Sequence, residues 1–205
     1  MEFNLSDLLE LITSGLSIED YQYLNQLINH RTIIMNEAVA SNIVEKVYLP
    51  LRDFENDDSD EPVTLILNSV GGSMSDGFFL ANYLANYSKK LYIVVCGYAA
   101  SMATLILAAG GKNDNITRIC YSSSYGLIHD GQIAFEPTES KSVTDIMAFN
   151  ELMDEKFKRF IITHTKITEE LYDSKARHQW FLLAEEMLEL GLVDRIEGGD
   201  IDGEH

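Results

Sequence analysis

Residues 94–110, VVCGYAASMATLILAAG, decide how the rest of this chain is arranged. The run begins with apolar and β-branched residues, which predict a buried strand that ends at Gly97. The segment from Met102 to Ala109 has Thr104 as its single polar side chain, and a helix that is apolar on all sides is a buried helix. The sequence therefore predicts a strand, a turn and a buried helix, with the hydroxyl of Ser101 at the turn.

The position of Ser101 allows two interpretations. Free N–H groups and the helix dipole at a helix N-terminus favour developing negative charge, which an acyl-transfer nucleophile requires. Serine is also a common N-cap, whose oxygen accepts a hydrogen bond from the first helical turn. On this stretch alone the N-cap is the more frequent role, so residues elsewhere in the chain must decide between the two.

Composition indicates a globular protein with one principal domain. The chain has 205 residues, of which 46% are hydrophobic and 23% are charged, and no apolar run is long enough to span a bilayer. The N-terminus lacks the pattern of a secretory signal. A formal net charge of −18 disfavours nucleic acids and anionic membranes as partners.

Cys96 and Cys120 form no CxxC pair, and we expect both to be buried thiols in a reducing, cytoplasmic setting. No cluster of His, Cys, Asp and Glu has metal-ligand spacing. The sequence therefore predicts neither a metal nor another cofactor.

Strands and helices alternate along the middle of the chain. The predicted strands span residues 63–67, 91–95, 116–121 and 126–128. Because helices follow the first two, this order predicts parallel strands with right-handed crossovers. Acidic residues dominate the segment from Asp53 to Glu61, which we expect to be a solvated loop. A long helix with an apolar stripe is predicted over 142–165, either as an oligomer contact or as a core helix.

Three groups of residues are predicted to meet at one edge of this sheet. Gly71-Gly72 follows one strand, Ser101 follows the next, and His129 ends a later strand. Carboxyl ends of parallel strands share an edge, where sites form. A Gly-Gly pair lets the backbone approach a ligand closely. Each signal is weak alone, since Gly-Gly is usually a turn and a lone histidine is usually structural.

The motifs around these residues resemble those of the Clp protease proteolytic subunit (ClpP) family. The matching segments are Asn68-Ser69-x-Gly71-Gly72-Ser73, Gly97-x-Ala99-Ala100-Ser101-Met102 with Leu107-Ala108-Ala109-Gly110, Arg118 with Ser122 and Ile128-His129, and Ala184-Glu185-Glu186 with Leu190-Gly191-Leu192-Val193-Asp194. The resemblance runs from about Arg31 to Ile196. It implies an α/β fold, a ClpP/crotonase-like spiral of ββα units from which a long handle helix protrudes.

The resemblance also implies a division of the chain into three parts. Residues 1–30 form a divergent helical N-terminal segment. Residues 31–196 form a ClpP-like peptidase domain that includes the handle helix 142–165. Residues 197–205 form a flexible acidic tail.

The activity implied by the resemblance is that of a serine endopeptidase which hydrolyses peptide bonds of unfolded proteins. Ser101 is then the nucleophile and His129 the general base, and the backbone N–H groups of Gly72 and Met102 form the oxyanion hole. The substrate binds as an added strand. The residues implied to bind that strand are Gly71, Gly131, Gln132 and Ile133.

The resemblance implies a homo-oligomer of stacked heptameric rings that encloses a chamber. An ATP-dependent unfoldase is an implied partner, and because no segment of this chain resembles a P-loop, ATP would be used by that other protein. Residues 1–30 do not resemble the family's axial-pore segment, which leaves docking to an unfoldase open.

Gln179 stands where the family has the catalytic Asp. Its amide oxygen can accept the Nδ1–H of His129, but it carries no charge to stabilise an imidazolium. Asp173 is the nearest substitute acid in the sequence, but the family resemblance puts the triad acid at position 179 and Asp173 elsewhere, which disfavours it. Activity reduced by Gln179 is therefore expected.

Two other functions are compatible with parts of the sequence. One is a weakly active or inactive ring subunit with an assembly or partner-binding role. The amide of Gln179 in place of the triad acid would indicate such a subunit. The other is a crotonase-type acyl-CoA enzyme, which has a similar spiral and oxyanion turn. That class does not need a Ser–His pair, so the combination of Ser101 and His129 disfavours it.

Overall fold

A seven-stranded sheet forms the centre of the molecule, described here by a computed structural model that covers residues 13, 15, 17–129, 140–176 and 178–198. The strands are β1 (Thr32–Met35), β2 (Val63–Ser69), β3 (Leu91–Ala100), β4 (Ile116–Tyr121), β5 (Tyr125–Ile128), β6 (Trp180–Leu183) and β7 (Arg195–Glu197). Strands β1-β2-β3-β4-β7 lie side by side and are all parallel. Strand β5 pairs in parallel with β3 and antiparallel with β6. The predicted α/β class with parallel central strands is confirmed.

The helices lie against this sheet. They are α1 (Ile18–His30), α2 (Leu49–Asn56) after a π-helical turn (Val44–Tyr48), α3 (Met74–Ala85), α4 (Met102–Ala108) with a 3-10 turn (Ala109–Lys112), α5 (Ser140–His164), α6 (Glu169–Lys175) and α7 (Ala184–Glu189). Every side chain of α4 is buried, as its apolar composition predicts. Helix α5 corresponds to the predicted long helix. In the part of the chain that the structure describes, no helix combines the length and apolarity needed to cross a membrane.

Two local predictions are wrong. The acidic segment is not a loop from Asp53 onward, because α2 continues to Asn56. Phe54 packs against the hydrophobic core, and the Arg31 guanidinium lies 4.4 Å from its ring centre, so tertiary contacts override the polarity of the neighbouring residues. The third strand also does not end before Gly97 but continues to Ala100.

Strand β3 changes its neighbour near Gly97. Residues 91–95 pair with β4, whereas residues 98–100 pair with β5. Gly97 has a φ of 107°, and a Cβ there would lie 2.6 Å from the Asn68 side-chain oxygen. Only glycine adopts this backbone conformation without strain. The glycine therefore redirects the strand instead of ending it.

Two polar side chains hold the redirected backbone. The Asn68 Oδ1 accepts a hydrogen bond from the Tyr98 N–H at 3.2 Å. The Ser124 Oγ accepts from the Gly97 N–H at 3.3 Å and donates to the Val95 carbonyl at 3.0 Å. These bonds replace ladder bonds at the point where β4 is left and β5 is joined.

Arg118 connects β4 by hydrogen bonds to the segment that leads into β7. Its side chain is 5% exposed, and its Nη1 donates to the Gly191 carbonyl at 2.7 Å. Its Nε and Nη2 donate to the Asp194 carboxylate at 3.1 and 2.6 Å, and its backbone N–H donates to the same carboxylate at 2.7 Å. A buried guanidinium is stable only with its partners in place, so this cluster fixes the two segments together.

The Arg118→Leu variant should lower the free energy of unfolding by about 3 kcal/mol, because Gly191 and Asp194 lose charged hydrogen-bond donors. Urea unfolding followed by circular dichroism measures the change. Arg159→Leu is the control, since its bond to Glu155 joins two exposed side chains and is worth below about 1 kcal/mol. Equal losses in the two variants would contradict the role given to Arg118.

Candidate active site

Ser101 has an unusual backbone conformation. Its φ is 55° and its ψ is −121°, and Arg31 is the other non-glycine residue with positive φ in the described part of the chain. Such conformations cost about 1–3 kcal/mol and persist where the surroundings enforce them. The sharp turn between β3 and α4 is thus a strained strand-to-helix turn, of the kind that exposes the catalytic serine in α/β-hydrolases.

Hydrogen bonds to β5 enforce this turn. The Ser101 N–H donates to the Leu127 carbonyl at 2.8 Å. The Thr104 hydroxyl lies 2.7 Å from the Ala99 carbonyl oxygen and 2.9 Å from that of Leu127. The single polar side chain of α4 therefore joins the helix to both strands that flank the turn.

The N-cap interpretation of Ser101 is wrong. Its hydroxyl makes no capping hydrogen bond to α4 within the described residues, whereas the Ser73 hydroxyl accepts one from the Asp76 N–H in α3. The Ser101 hydroxyl is therefore not engaged in stabilising the helix start.

The glycine turn after β2 packs directly against the Ser101 turn. Gly71 has a φ of 83°, and a Cβ there would lie 2.5 Å from the Ala100 carbonyl oxygen and 2.8 Å from the Met102 nitrogen. Any larger residue would push the two turns apart. The absence of a side chain thus allows the two backbones to approach each other.

Two backbone N–H groups are available at this junction. Val39 binds the far side of the glycine turn, since its N–H donates to the Gly71 carbonyl and its carbonyl accepts from the Ser73 N–H, both at 2.8 Å. Among the described residues, the N–H groups of Gly72 and Met102 have no hydrogen-bond acceptor. Unsatisfied donors of this kind can stabilise an oxyanion.

A cavity of about 230 Å³ joins these groups. The residues that line it are Val70, Gly72, Met74, Ser101, Met102, His129, Asp154 and Phe157. Four of the predicted site residues, Gly72, Ser101, Met102 and His129, therefore face one space. The larger cavity of about 440 Å³ around Arg31 contains none of them.

Gln179 lies immediately before β6 and is exposed. In the antiparallel pair of β5 and β6, Ile128 is opposite Trp180. One further step in the same register puts His129 opposite Gln179, and opposite residues of an antiparallel pair project to the same face. The sequence analysis did not predict β6 and paired Gln179 with His129 only through the family resemblance, whereas the strand register gives a structural basis for this neighbour relation.

Asp173, the substitute acid considered from the sequence, lies in α6. Its carboxylate is 2.7 Å from the Lys158 ammonium. Asp173 lines a groove that adjoins the Ser101 cavity and is not among the described residues of the cavity itself. The geometry thus gives this carboxylate a partner other than His129.

Some predicted residues cannot be located and others were missed. Gly131, Gln132 and Ile133, predicted to bind the substrate strand, lie outside the described residues, and so do residues 199–205 of the predicted tail. Asp154 and Phe157 were not predicted as site residues. Their spacing puts them on one side of α5, but the sequence does not say that this side faces Ser101.

The cysteines are poor alternatives to Ser101 as a nucleophile. Burial raises the pKa of the Cys96 thiol and raises the pKa of Cys120 to about 11. Since the thiolate is the reactive form, both thiols are largely unreactive at neutral pH. In the described ranges, no group of three or more His, Cys, Asp and Glu residues is arranged to hold a metal ion.

Comparison with known proteins identifies the family of this chain. The sequence profile of the Clp protease family matches residues 16–199, a range that includes α1 as well as the predicted peptidase domain. The ATP-dependent Clp protease proteolytic subunit of Cyanophora paradoxa is 29% identical over 174 residues, which cover 84% of this chain and 87% of that protein. The match over most of its length shows that the chain belongs to the Clp protease family.

Proposed function

We propose that this protein is a serine endopeptidase in which Ser101 attacks a peptide carbonyl while His129 takes the proton of its hydroxyl. The N–H groups of Gly72 and Met102 then bind the tetrahedral oxyanion, each contributing roughly 3 kcal/mol. His129 passes its proton to the leaving amine, and a water completes hydrolysis by the reverse sequence. Family membership supports a peptidase over the assembly-only alternative and over an acyl-CoA enzyme.

One observation carries this proposal. Ser101 is held in a strained turn on the wall of a cavity that His129 also lines, together with two backbone N–H groups that have no acceptor among the described residues. A structural serine needs none of these features, whereas acyl transfer needs a positioned hydroxyl, a base and oxyanion donors facing one space.

Gln179 takes the place of the triad acid in this proposal. Its amide oxygen accepts the Nδ1–H of His129 and so selects the tautomer that can act as a base. Without a carboxylate the imidazolium is less stabilised, so we expect turnover below that of an enzyme with Asp at this position.

We propose further that the chain acts as a homo-oligomer of stacked heptameric rings, with α5 as the contact between rings. Apolar side chains on α5 support this assignment, because Ile146, Met147, Phe149 and Leu152 are 39–64% exposed. The matched Cyanophora protein is described as ATP-dependent, and here an ATP-dependent unfoldase would deliver unfolded chains to the chamber. The cytoplasmic location stays a prediction, supported by two free cysteines.

A serine-directed fluorophosphonate probe should label the native protein, and Ser101→Ala should abolish the labelling, because the probe reacts with an activated hydroxyl. Intact-mass spectrometry of the labelled protein measures the adduct. Ser174→Ala, which removes an exposed hydroxyl on α6, should be labelled like the native protein. A native protein that stays unlabelled as an assembled oligomer would refute the proposed nucleophile.

The strain at Ser101 gives a second, independent prediction. Ser101→Gly should be more stable than Ser101→Ala by about 1 kcal/mol, since glycine adopts positive φ without steric cost. Neither variant retains the hydroxyl, so the comparison isolates the backbone conformation. Thermal unfolding of both proteins measures the difference, and an alanine variant as stable as the glycine variant would show that the turn is unstrained.

Gln179→Asp should raise kcat at least about tenfold, because a carboxylate beside His129 stabilises the imidazolium and removing one costs about 10⁴ in trypsin-like enzymes. Cleavage of a fluorogenic peptide measures the gain. Asp173→Asn is the control and should leave kcat within about twofold, since Asp173 is paired with Lys158. A large loss of kcat in Asp173→Asn, with no gain of kcat in Gln179→Asp, would show that Asp173 and not Gln179 orients His129.

A further inference from the structure

Among the described residues that line the cavity beside Ser101, one has a carboxylate, Asp154. Apart from the candidate catalytic groups, the described lining residues are Val70, Met74, Phe157 and Asp154, of which the first three are apolar. Its volume of about 230 Å³ is several times the roughly 30 Å³ that one water occupies in the liquid. Described walls that are apolar apart from the Asp154 carboxylate fit a side chain that has an apolar stem and a cationic end.

Helix α5 fixes the position of this carboxylate. Asp154 and Phe157 are three residues apart and therefore lie on the same side of the helix. Phe157 is 6% exposed and Ile161 is fully buried, so this side packs on the core. Phe160 adds an edge-to-face contact with Phe78 of α3, with ring centres 6.3 Å apart. Asp154 is thus carried by an anchored helix, which gives a more exact placement than a surface loop.

Acidic side chains continue outward from Asp154. An adjoining groove of about 270 Å³ is lined by Glu151, Asp154, Glu155, Lys158, Tyr172 and Asp173. Lys158 is the one cation among these lining residues, and its ammonium is bonded to Glu169 at 2.9 Å and to Asp173 at 2.7 Å. The approach to the cavity along α5 therefore has a negative potential, which attracts cationic peptide segments.

We propose that Asp154 makes this peptidase prefer substrates with Lys or Arg at the residue before the cleaved bond. The inference rests on the proposed serine peptidase function. The stem of the substrate side chain contacts Met74 and Phe157, and its cationic end pairs with the Asp154 carboxylate. Such a pair is stronger in a partly desolvated cavity than in open water.

Two fluorogenic peptides that differ only in Lys or acetyl-lysine before the cleaved bond test the proposal. Acetylation keeps the stem and removes the charge. We expect kcat/KM to be roughly tenfold higher for the lysine peptide. Asp154→Asn should bring the ratio of the two kcat/KM values close to one, chiefly by lowering the value for the lysine peptide. Glu155→Gln, which neutralises the adjacent exposed carboxylate bonded to Arg159, should keep the preference.

Fluorophosphonate labelling of Ser101 separates failure of this inference from failure of the proposed function, because the probe carries no peptide side chain. A labelled enzyme that cleaves both peptides equally overturns the role of Asp154 and leaves the serine peptidase intact. An equal loss for both peptides in Asp154→Asn also overturns it, since Asp154 would then act on the chemistry or the fold. If neither labelling nor cleavage occurs, the proposed function fails and the inference fails with it.

Discussion

The change of neighbour within β3 is the constraint on which the site depends. A strand that stayed beside β4 throughout its length would leave Ser101 next to β4 and far from His129. The positive φ of Gly97 and the bonds from Asn68 and Ser124 turn the strand onto β5 instead. His129 directly follows β5, so the same change of direction brings the hydroxyl and the imidazole to one cavity.

The strained turn at Ser101 is the second consequence of this arrangement. Its N–H is used by Leu127 of β5, so the backbone must rotate before α4 can begin. That rotation costs about 1–3 kcal/mol, and the full burial of α4 together with the Thr104 hydroxyl bonds holds it in place. The glycine turn at Gly71 then packs against it, because no side chain stands between the two backbones.

Sequence patterns predicted the candidate catalytic residues more fully than the strands that pack beside them. The Gly71-Gly72 pair, Ser101 and His129 each stand at the end of a predicted parallel strand, and ends of parallel strands share an edge by geometry alone. The antiparallel strand β6 was missed because four residues with alternating burial give little periodicity to detect. Because β6 was not predicted, the pairing of Gln179 with His129 rested on the family resemblance. The register of β5 and β6 now explains that pairing, since it continues from Ile128 and Trp180 to His129 and Gln179.

The sequence by itself determined the α/β class, the buried helix after Ser101 and the chemistry available at the strand ends, because these follow from local periodicity and from residue type. Only the tertiary structure decided that β3 continues beyond Gly97, that the Ser101 hydroxyl does not cap its helix, and that Asp154 faces the same cavity. The reason is physical. A backbone torsion at one glycine and the side of a helix that packs inward are set by contacts between segments far apart in the chain, and local composition does not encode such contacts.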